Sequence, residues 1–365
     1  MVSVYAGVDV HRTRSQVAVA GDGGRVQLNR NVVSGSGPML ELVSGLPAGT
    51  PVAFEAAFGW GWLAELLEDY GFDAHLVHPL RCKAIASARL KNGKVDAAIL
   101  AQLLRADLLP EAWIAPPQVR ALRALLRHRI QLVRLRTLLG NRIHAIAAGH
   151  GYDRPAGYWS GPGRAWLACL DLPPASRQVI DDDLALIGAL AGRVTGLDGQ
   201  VHQRARAEPG VKVVTQLPGV GEFTALVILA GTGDITRFGP ARKLAAWAGL
   251  TPIVGSSGRT VRHGHISKQG SAWLRWALGQ TAQTAKRSPG FAASYQAIAA
   301  RRGKQIATTA IARKLLTRAW HLLTDAGITG PPACPPPRLS PPKGRQARGE
   351  LAKVPEPAPP PRTSC

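Results

Sequence analysis

Two periods of apolar residues succeed one another along the chain. Val4–Val8 is an apolar, β-prone run leading into Asp9, Gln16–Ala20 alternates, and residues 21–24 (Gly-Asp-Gly-Gly) form a turn before an extended pattern at Arg25–Val33. Period two over such lengths predicts a three-strand meander. A short helix at Gly37–Ser44, a strand at Pro51–Phe54 ending on Glu55, a helix at Trp60–Tyr70, a strand at Ala74–Val77 and a helix from about Lys94 to Arg105 follow. The order βββαβαβα is that of a ribonuclease-H-like (RuvC-like) α/β domain, predicted over residues 1–115.

Beyond Pro116-Pro117 the period changes to that of helices. A long helix is predicted from Gln118 to about Ala148, with Leu122, Leu126, Ile130 and Val133 on one side. Residues 151–174 are rich in Gly, Pro and Trp and read as a loop or irregular crossing. Asp181–Asp183 is read as the cap of a second helix, in which Ile187, Leu190, Val194, Leu197 and Val201 repeat at heptad spacing. Such a repeat suggests a coiled coil within the chain or between subunits. Residues 116–210 are therefore expected to form a helical, coiled-coil arm. A mostly α C-terminal domain is expected over 211–328, with helices at about Glu222–Ala230, Phe238–Leu250, Gly270–Lys286 and Lys304–Asp325. Residues 329–365 are dominated by Pro, Arg and Lys and read as a disordered tail.

Charge narrows the partner. Lys and Arg outnumber Asp and Glu by 45 to 23, a net +22 spread over the whole chain. That predicts a polyanion, with nucleic acid as the leading candidate. Cys82, Cys169, Cys334 and Cys365 show neither zinc nor disulfide spacing. With no signal-peptide pattern and no apolar run of membrane length, a cytoplasmic protein is expected.

Three acids fall where a ribonuclease-H-like sheet converges on one edge: Asp9 ends the first strand, Glu55 the fourth, and Asp96 opens the last helix. Carboxylates gathered there would bind Mg²⁺, a hard ion that prefers oxygen, and hold it against a phosphate. As ordinary strand-end and helix-start residues they would carry no such role; Asp69, Asp73 and Asp107 are read that way. A second candidate centre is Thr251–Leu278. It has a Ser256-Ser257-Gly258 turn, then Arg259, Arg262, His263, His265, Lys268 and Arg275, without a carboxylate. A hydroxyl among cations suits a nucleophile on a phosphodiester; the alternative is a hairpin turn on a basic surface.

Two further features bear on nucleic acid. Arg120, Arg123, Arg127 and Arg134 share a narrow arc of the long helix, a rail for phosphates or a solvated face. Gly219 and Gly221, in LPGVG before a helix, resemble a helix-hairpin-helix turn that lets a helix N-terminus approach a phosphate.

Taken in order, AGVDVH at Ala6–His11, FEA at Phe54–Ala56, LKNGKVDA at Leu90–Ala97, LLRADLLPEAWIAP at Leu103–Pro116, LPGVGEFTA at Leu217–Ala225 and AGLTP…RTVRHGHISKQGSAWLRWAL at Ala248–Leu278 resemble a group of transposases. This is the one-hundred-and-ten family of bacterial insertion sequences, the DEDD transposases related to Piv DNA invertases. The resemblance implies a DNA recombinase with two half-sites: an Mg²⁺-binding acidic domain and a domain whose serine joins covalently to DNA. It also implies a multimer, dimer or tetramer, in which the acids of one subunit meet the serine of another, and a structured non-coding guide RNA that pairs with donor and target DNA. By position, Asp9, Glu55 and Asp96 match the first, second and fourth acids, and Ser257 matches the serine, with Ser256 adjacent. Arg259, Lys268 and Arg275 are then expected to neutralise charge or grip the backbone.

Members of the family usually read LKNDKVDA, so Gly93 stands in place of the third acid. Loss of one carboxylate lowers the negative charge of the site, which points towards an impaired copy unless three acids and water suffice. A junction-resolving nuclease using water, and a non-catalytic nucleic-acid-binding remnant, are the two rival readings.

Overall fold

The computed structural model describes residues 4–85, 93–153, 157–257 and 260–330. Gly258, Arg259 and the expected Pro-rich tail from residue 331 lie outside them. The chain divides into two compact units, the first running to Ile114 and the second beginning at Ala115.

The first unit is a mixed α/β layer structure. β1 (Val4–Asp9), β2 (Arg14–Gly21) and β3 (Val26–Val33) form the expected meander. α1 (Ser36–Val43), β4 (Pro51–Glu55), α2 (Trp60–Asp69), β5 (Asp73–Val77), α3 (Pro79–Ile85) and α4 (Gly93–Arg105) follow. The sheet order is β3-β2-β1-β4-β5; β1 is antiparallel to β2 and parallel to β4, and β4 is parallel to β5. α3 was not anticipated, because seven residues are too few to show a helical period.

Side-chain alternation assigns the two faces of this sheet. Val8, Val17, Val19, Val52 and Phe54 pack against Met39 and Val43 of α1 and Leu63 and Leu67 of α2. The opposite parity, where Gly7, Ala18 and Ala53 lie, is small and receives α4; Ala53, Val77 and Cys82 pack there against Leu100. Gly7 is required for this approach: a Cβ would stand 2.6 Å from the Ala101 nitrogen and overlap the Ala97 carbonyl.

The second unit is helical with one hairpin. α5 (Pro117–Gly149) and α7 (Pro174–Ala207) run side by side, joined through α6 (Gly161–Ala168). Their direction is antiparallel, since Arg129 pairs with Asp198 and Arg142 with Asp183. The heptad residues Ile187, Val194 and Val201 are buried within the chain. α7 begins at Pro174, so Asp181–Asp183 do not cap it. Asp183 is instead fully buried, and the Arg142 guanidinium grips it through two hydrogen bonds.

α8 (Pro209–Val214), α9 (Glu222–Thr232), α10 (Ala241–Trp247), α11 (Ala272–Ala285), α12 (Pro289–Arg302) and α13 (Lys304–Asp325) complete the unit. α9 is buried on nearly every side, as its continuous apolar run requires, and forms the centre of a core shared with α11 and α13. Leu126 of α5 and Val201 and Ala205 of α7 join this core. A separate core lies at the other end of the α5–α7 pair, around Ile143, Leu167 and Ile180.

Candidate active site and nucleic-acid interface

Strand register places the first two acids together. Val8 pairs with Phe54 across the parallel β1–β4 ladder, so Asp9 and Glu55 end neighbouring strands one step later. By parity both share the face of Gly7 and Ala53, the face that α4 covers. Asp96 lies in the first turn of α4, and the close packing permitted by Gly7 brings that turn down onto the sheet. Burial pushes the Cys82 thiol up, and the charges of Glu55 and Asp96 push it further, so both carboxylates stand within electrostatic reach of one buried sulfur. Asp9 is itself 7% exposed, and its Oδ2 is 3.1 Å from His11 Nε2.

Gly93 adjoins the same carboxylate. A Cβ built on it would stand 3.1 Å from Asp9 Oδ2 and 3.6 Å from Gln16 Cβ. A side chain here would thus enter the acidic edge directly. Oxygen-only donors at strand ends suit a hard divalent cation. Among the described residues, however, no group of three or more His, Cys, Asp or Glu side chains lies close enough to hold a metal. The donor chemistry of Asp9, Glu55 and Asp96 fits a hard ion.

Beside this edge is an open cleft of about 650 Å³ lined by His11, Arg14, Gln16, Asn31, Gly93 and Lys94. Its floor is organised by amides: Asn31 Nδ2 donates to Gln16 Oε1 at 3.0 Å, and Asn29 Nδ2 donates to the Lys94 carbonyl at 3.1 Å. Cations and amides next to acids can grip a phosphate backbone. Arg14 and Lys94 were not singled out from sequence; the available signal was polar Asn29-Arg30-Asn31 in the edge strand β3, beside the apolar β2.

The serine lies in the second unit. β6 (Pro252–Ser257) pairs antiparallel with β7 (Thr260–Ile266), and the backbone of Ser257 is opposite Thr260 at the tip. Ser256 and Ser257 thus end a strand rather than occupy a turn. At the base of this hairpin is a cleft of about 500 Å³, to which Lys268, Lys286 and Lys304 contribute beside Trp276 and Tyr295. Lys286 Nζ is 5.2 Å from the Tyr295 ring centroid. Lys268 is exposed, with φ 55. Lys286, Lys304 and Tyr295 escaped notice because the cleft is assembled from α11, α12 and α13.

Several other residues expected to contact nucleic acid also make contacts within the chain. Arg275 donates through Nη1 to the carbonyls of Ala248, Gln269 and Gly270, tying the hairpin's return to the end of α10, and burial lowers its pKa. Arg123 donates from Nε to the Ala230 carbonyl at 2.7 Å and from Nη2 to that of Gly231 at 3.1 Å. It satisfies the C-terminal carbonyls of α9, a role open to basic residues at helix ends. Burial, then the charges of Arg127 and Arg237, lower it to about 10, so it remains a cation at neutral pH. Arg134 lies over the Trp273 ring at 4.8 Å. Of the four-arginine rail, Arg127 and Arg134 are exposed, whereas Arg120 and Arg123 are partly covered.

Gly219 has φ 77, and a Cβ there would meet Thr284 Cβ at 2.9 Å and the Thr281 carbonyl at 3.1 Å. This close approach to α11 is one reason for a glycine here. Gly221 precedes α9, whose first residue Glu222 is bonded to His202 Nδ1 at 2.7 Å. Among the described residues, the Glu222 side chain makes no capping bond to the N-terminus of α9.

Comparison with known proteins supplies the remaining finding. Residues 211–296 match the family model described as the transposase IS116/IS110/IS902 family, and residues 6–150 match a transposase model of the DEDD IS110 group. A putative transposase, y4pF/y4sB of Sinorhizobium fredii, is 31% identical over 289 residues, covering 76% of this chain and 73% of the relative. The transposase for insertion sequence element IS1111A of Coxiella burnetii is 27% identical over 330 residues, covering 87% and 89%. A probable family 20 transposase of Pseudomonas aeruginosa is 26% identical, covering 75% and 83%. Among the described residues no helix is long and apolar enough to cross a membrane.

Proposed function

The chain belongs to the IS116/IS110/IS902 family of insertion-sequence transposases, enzymes that cut and join DNA, and we propose that it does so with Ser257 as nucleophile. The observation that carries this reading is the separation of the two family matches onto two half-sites. One match covers the edge with Asp9, Glu55 and Asp96, and the other covers the hairpin with Ser257. The sheet order β3-β2-β1-β4-β5 supports a ribonuclease-H-like reading of the first.

In this mechanism the Ser257 hydroxyl oxygen attacks phosphorus and displaces one deoxyribose hydroxyl, leaving a serine–DNA phosphodiester. A hydroxyl of the recombining strand then displaces the serine, so each broken bond is matched by one formed. Asp9, Glu55 and Asp96 would hold a divalent cation, Mg²⁺ by the chemistry of the donors, and the bound ion would supply charge neutralisation at the scissile phosphate. Arg14, Lys94 and His11 position DNA at the acidic edge, and Lys268 with its neighbouring lysines holds the strand at the base of the hairpin whose tip carries the serine. The two half-sites work together in a homo-oligomer, and a structured non-coding RNA selects donor and target. Gly93 weakens the acidic half-site.

The test is a covalent adduct. Radiolabelled element-end DNA is incubated with the protein and its guide RNA and resolved under denaturing conditions. A protein–DNA band lost in Ser257→Ala is expected. Nicked DNA without any adduct would replace the serine mechanism with a water-using nuclease.

A further inference from the structure

The arm carries a built pocket that the strand chemistry does not use. It opens between α5, α7 and the turn before α6, has a volume of about 440 Å³, and is lined by Arg136, Asn141, His144, Trp159, Arg164 and Ile187. Such a volume lies within the roughly 300–1,000 Å³ of small-ligand sites.

Trp159 is its main wall. The indole is 43% exposed, although a tryptophan gains most by burial. It is nevertheless firmly held. Tyr158 before it is buried, and Ser160 after it caps α6, accepting from the Gly163 N–H at 3.2 Å and donating to the Gly157 carbonyl at 2.6 Å. The His144 ring stacks on the indole with centroids 5.4 Å apart and planes within 12°. Gly140 makes room for it, since a Cβ there would stand 2.9 Å from Trp159 Cζ2. A glycine inside a helix costs up to about 1 kcal/mol relative to alanine, and this packing accounts for its presence in α5.

We propose that this pocket binds one unpaired nucleotide of a nucleic-acid strand. The base stacks in the aromatic wall of Trp159 and His144 above Ile187, Asn141 reads or supports a base edge, and Arg136 and Arg164 hold the flanking phosphates. Aromatic stacking combined with cations is the common solution for single strands, because every base has a π-face. Among the described residues the lining contains no carboxylate to repel a phosphate. The proposal rests on the nucleic-acid reading of the family, but it requires neither Ser257 chemistry nor the acidic edge.

The experiment uses the full-length protein with fluorescein-labelled probes: single-stranded oligo-dT, single-stranded oligo-rU and a fully paired duplex. Anisotropy titrations over a salt series give affinity and its salt slope. Trp159→Ala is expected to weaken single-strand binding roughly tenfold or more, with an unchanged salt slope and unchanged duplex affinity. Trp159→Phe should restore most of the loss. Arg164→Gln should lower the salt slope on single strands by about one contact. A larger effect on oligo-rU than on oligo-dT would assign the nucleotide to RNA, the reverse to displaced DNA. If wild type binds single strands and Trp159→Ala binds them equally, or if both variants lose duplex and single-strand affinity together, the pocket proposal is overturned. If wild type binds none of the probes, the nucleic-acid reading falls with it.

Discussion

Position 93 points at Asp9: a Cβ on Gly93 would stand 3.1 Å from the Asp9 Oδ2 oxygen. An aspartate here would set two carboxylates side by side. In the absence of a cation, like charges at that range raise one of their pKa values and oppose folding at neutral pH. We expect Gly93→Asp to melt below wild type in chelator and to be stabilised by millimolar Mg²⁺ or Mn²⁺ far more than wild type. Equal responses of both proteins in thermal-shift titrations would show that this position does not belong to the cation site.

Gly7 tests how the acidic edge is positioned. Substitution by alanine sets a Cβ against the Ala97 carbonyl and 2.6 Å from the Ala101 nitrogen, both of them helix backbone. Overpacking of this sort costs about 1–3 kcal/mol, and α4 can relieve it only by moving off β1 with Asp96. Gly7→Ala should therefore lower Tm and strand-joining activity together. Gly23, where nothing lies within 4 Å, serves as the control, and Gly23→Ala should leave both unchanged.

The arginine arc should separate into two kinds of residue. Arg123→Gln removes buried, charge-assisted bonds to α9 and should cost about 2 kcal/mol of stability. It should do so without altering the salt slope of DNA binding. Arg127→Gln should scarcely move Tm and should flatten that slope by about one contact. The reverse pattern in anisotropy and calorimetry would return Arg123 to the interface.

His75 offers a pH signature. Burial works against its charged form, but hydrogen bonds to Glu111 and Asp73 and their charges outweigh it, so its pKa is raised from the ordinary 6.5. Its Nδ1 is 2.6 Å from Glu111 and its Nε2 2.9 Å from Asp73. A raised pKa contributes stability that is complete below the unfolded value and disappears as pH rises through the folded one. The Tm gap between wild type and His75→Gln should be widest below the ordinary value of 6.5 and shrink as the pH rises above it. A gap independent of pH would mean that the pair acts through packing alone.

Much of the first unit was readable because its strands are short β-prone runs, with Asp9 and Glu55 each ending one and Asp96 in the first turn of α4. The face parity that joins Asp9 to Glu55 was implicit in Gly7-Val8-Asp9 and Ala53-Phe54-Glu55. α12 was not readable: PGFAASYQAIAARR has no apolar stripe, and Phe291 is its one fully buried side chain. Arg123 and Arg275 show a different limit. Helical spacing shows which residues share a face, but it does not show that a guanidinium turns inward to satisfy carbonyls from distant elements. The packing of Gly219 against α11 was hidden for the same reason, since α11 lies far along the chain.

The paired helices α5 and α7 also act as a ruler. From Leu126, where α5 enters the core around α9, to Gly140 beneath Trp159 is about 21 Å along the axis. At 3.4 Å per step this equals about six stacked bases. A strand anchored at Trp159 therefore has its distance to the helical core set by rigid backbone rather than by a flexible tether. Inserting or deleting whole turns between those two residues would reset the spacing in steps of about 5.4 Å, each the length of between one and two nucleotides.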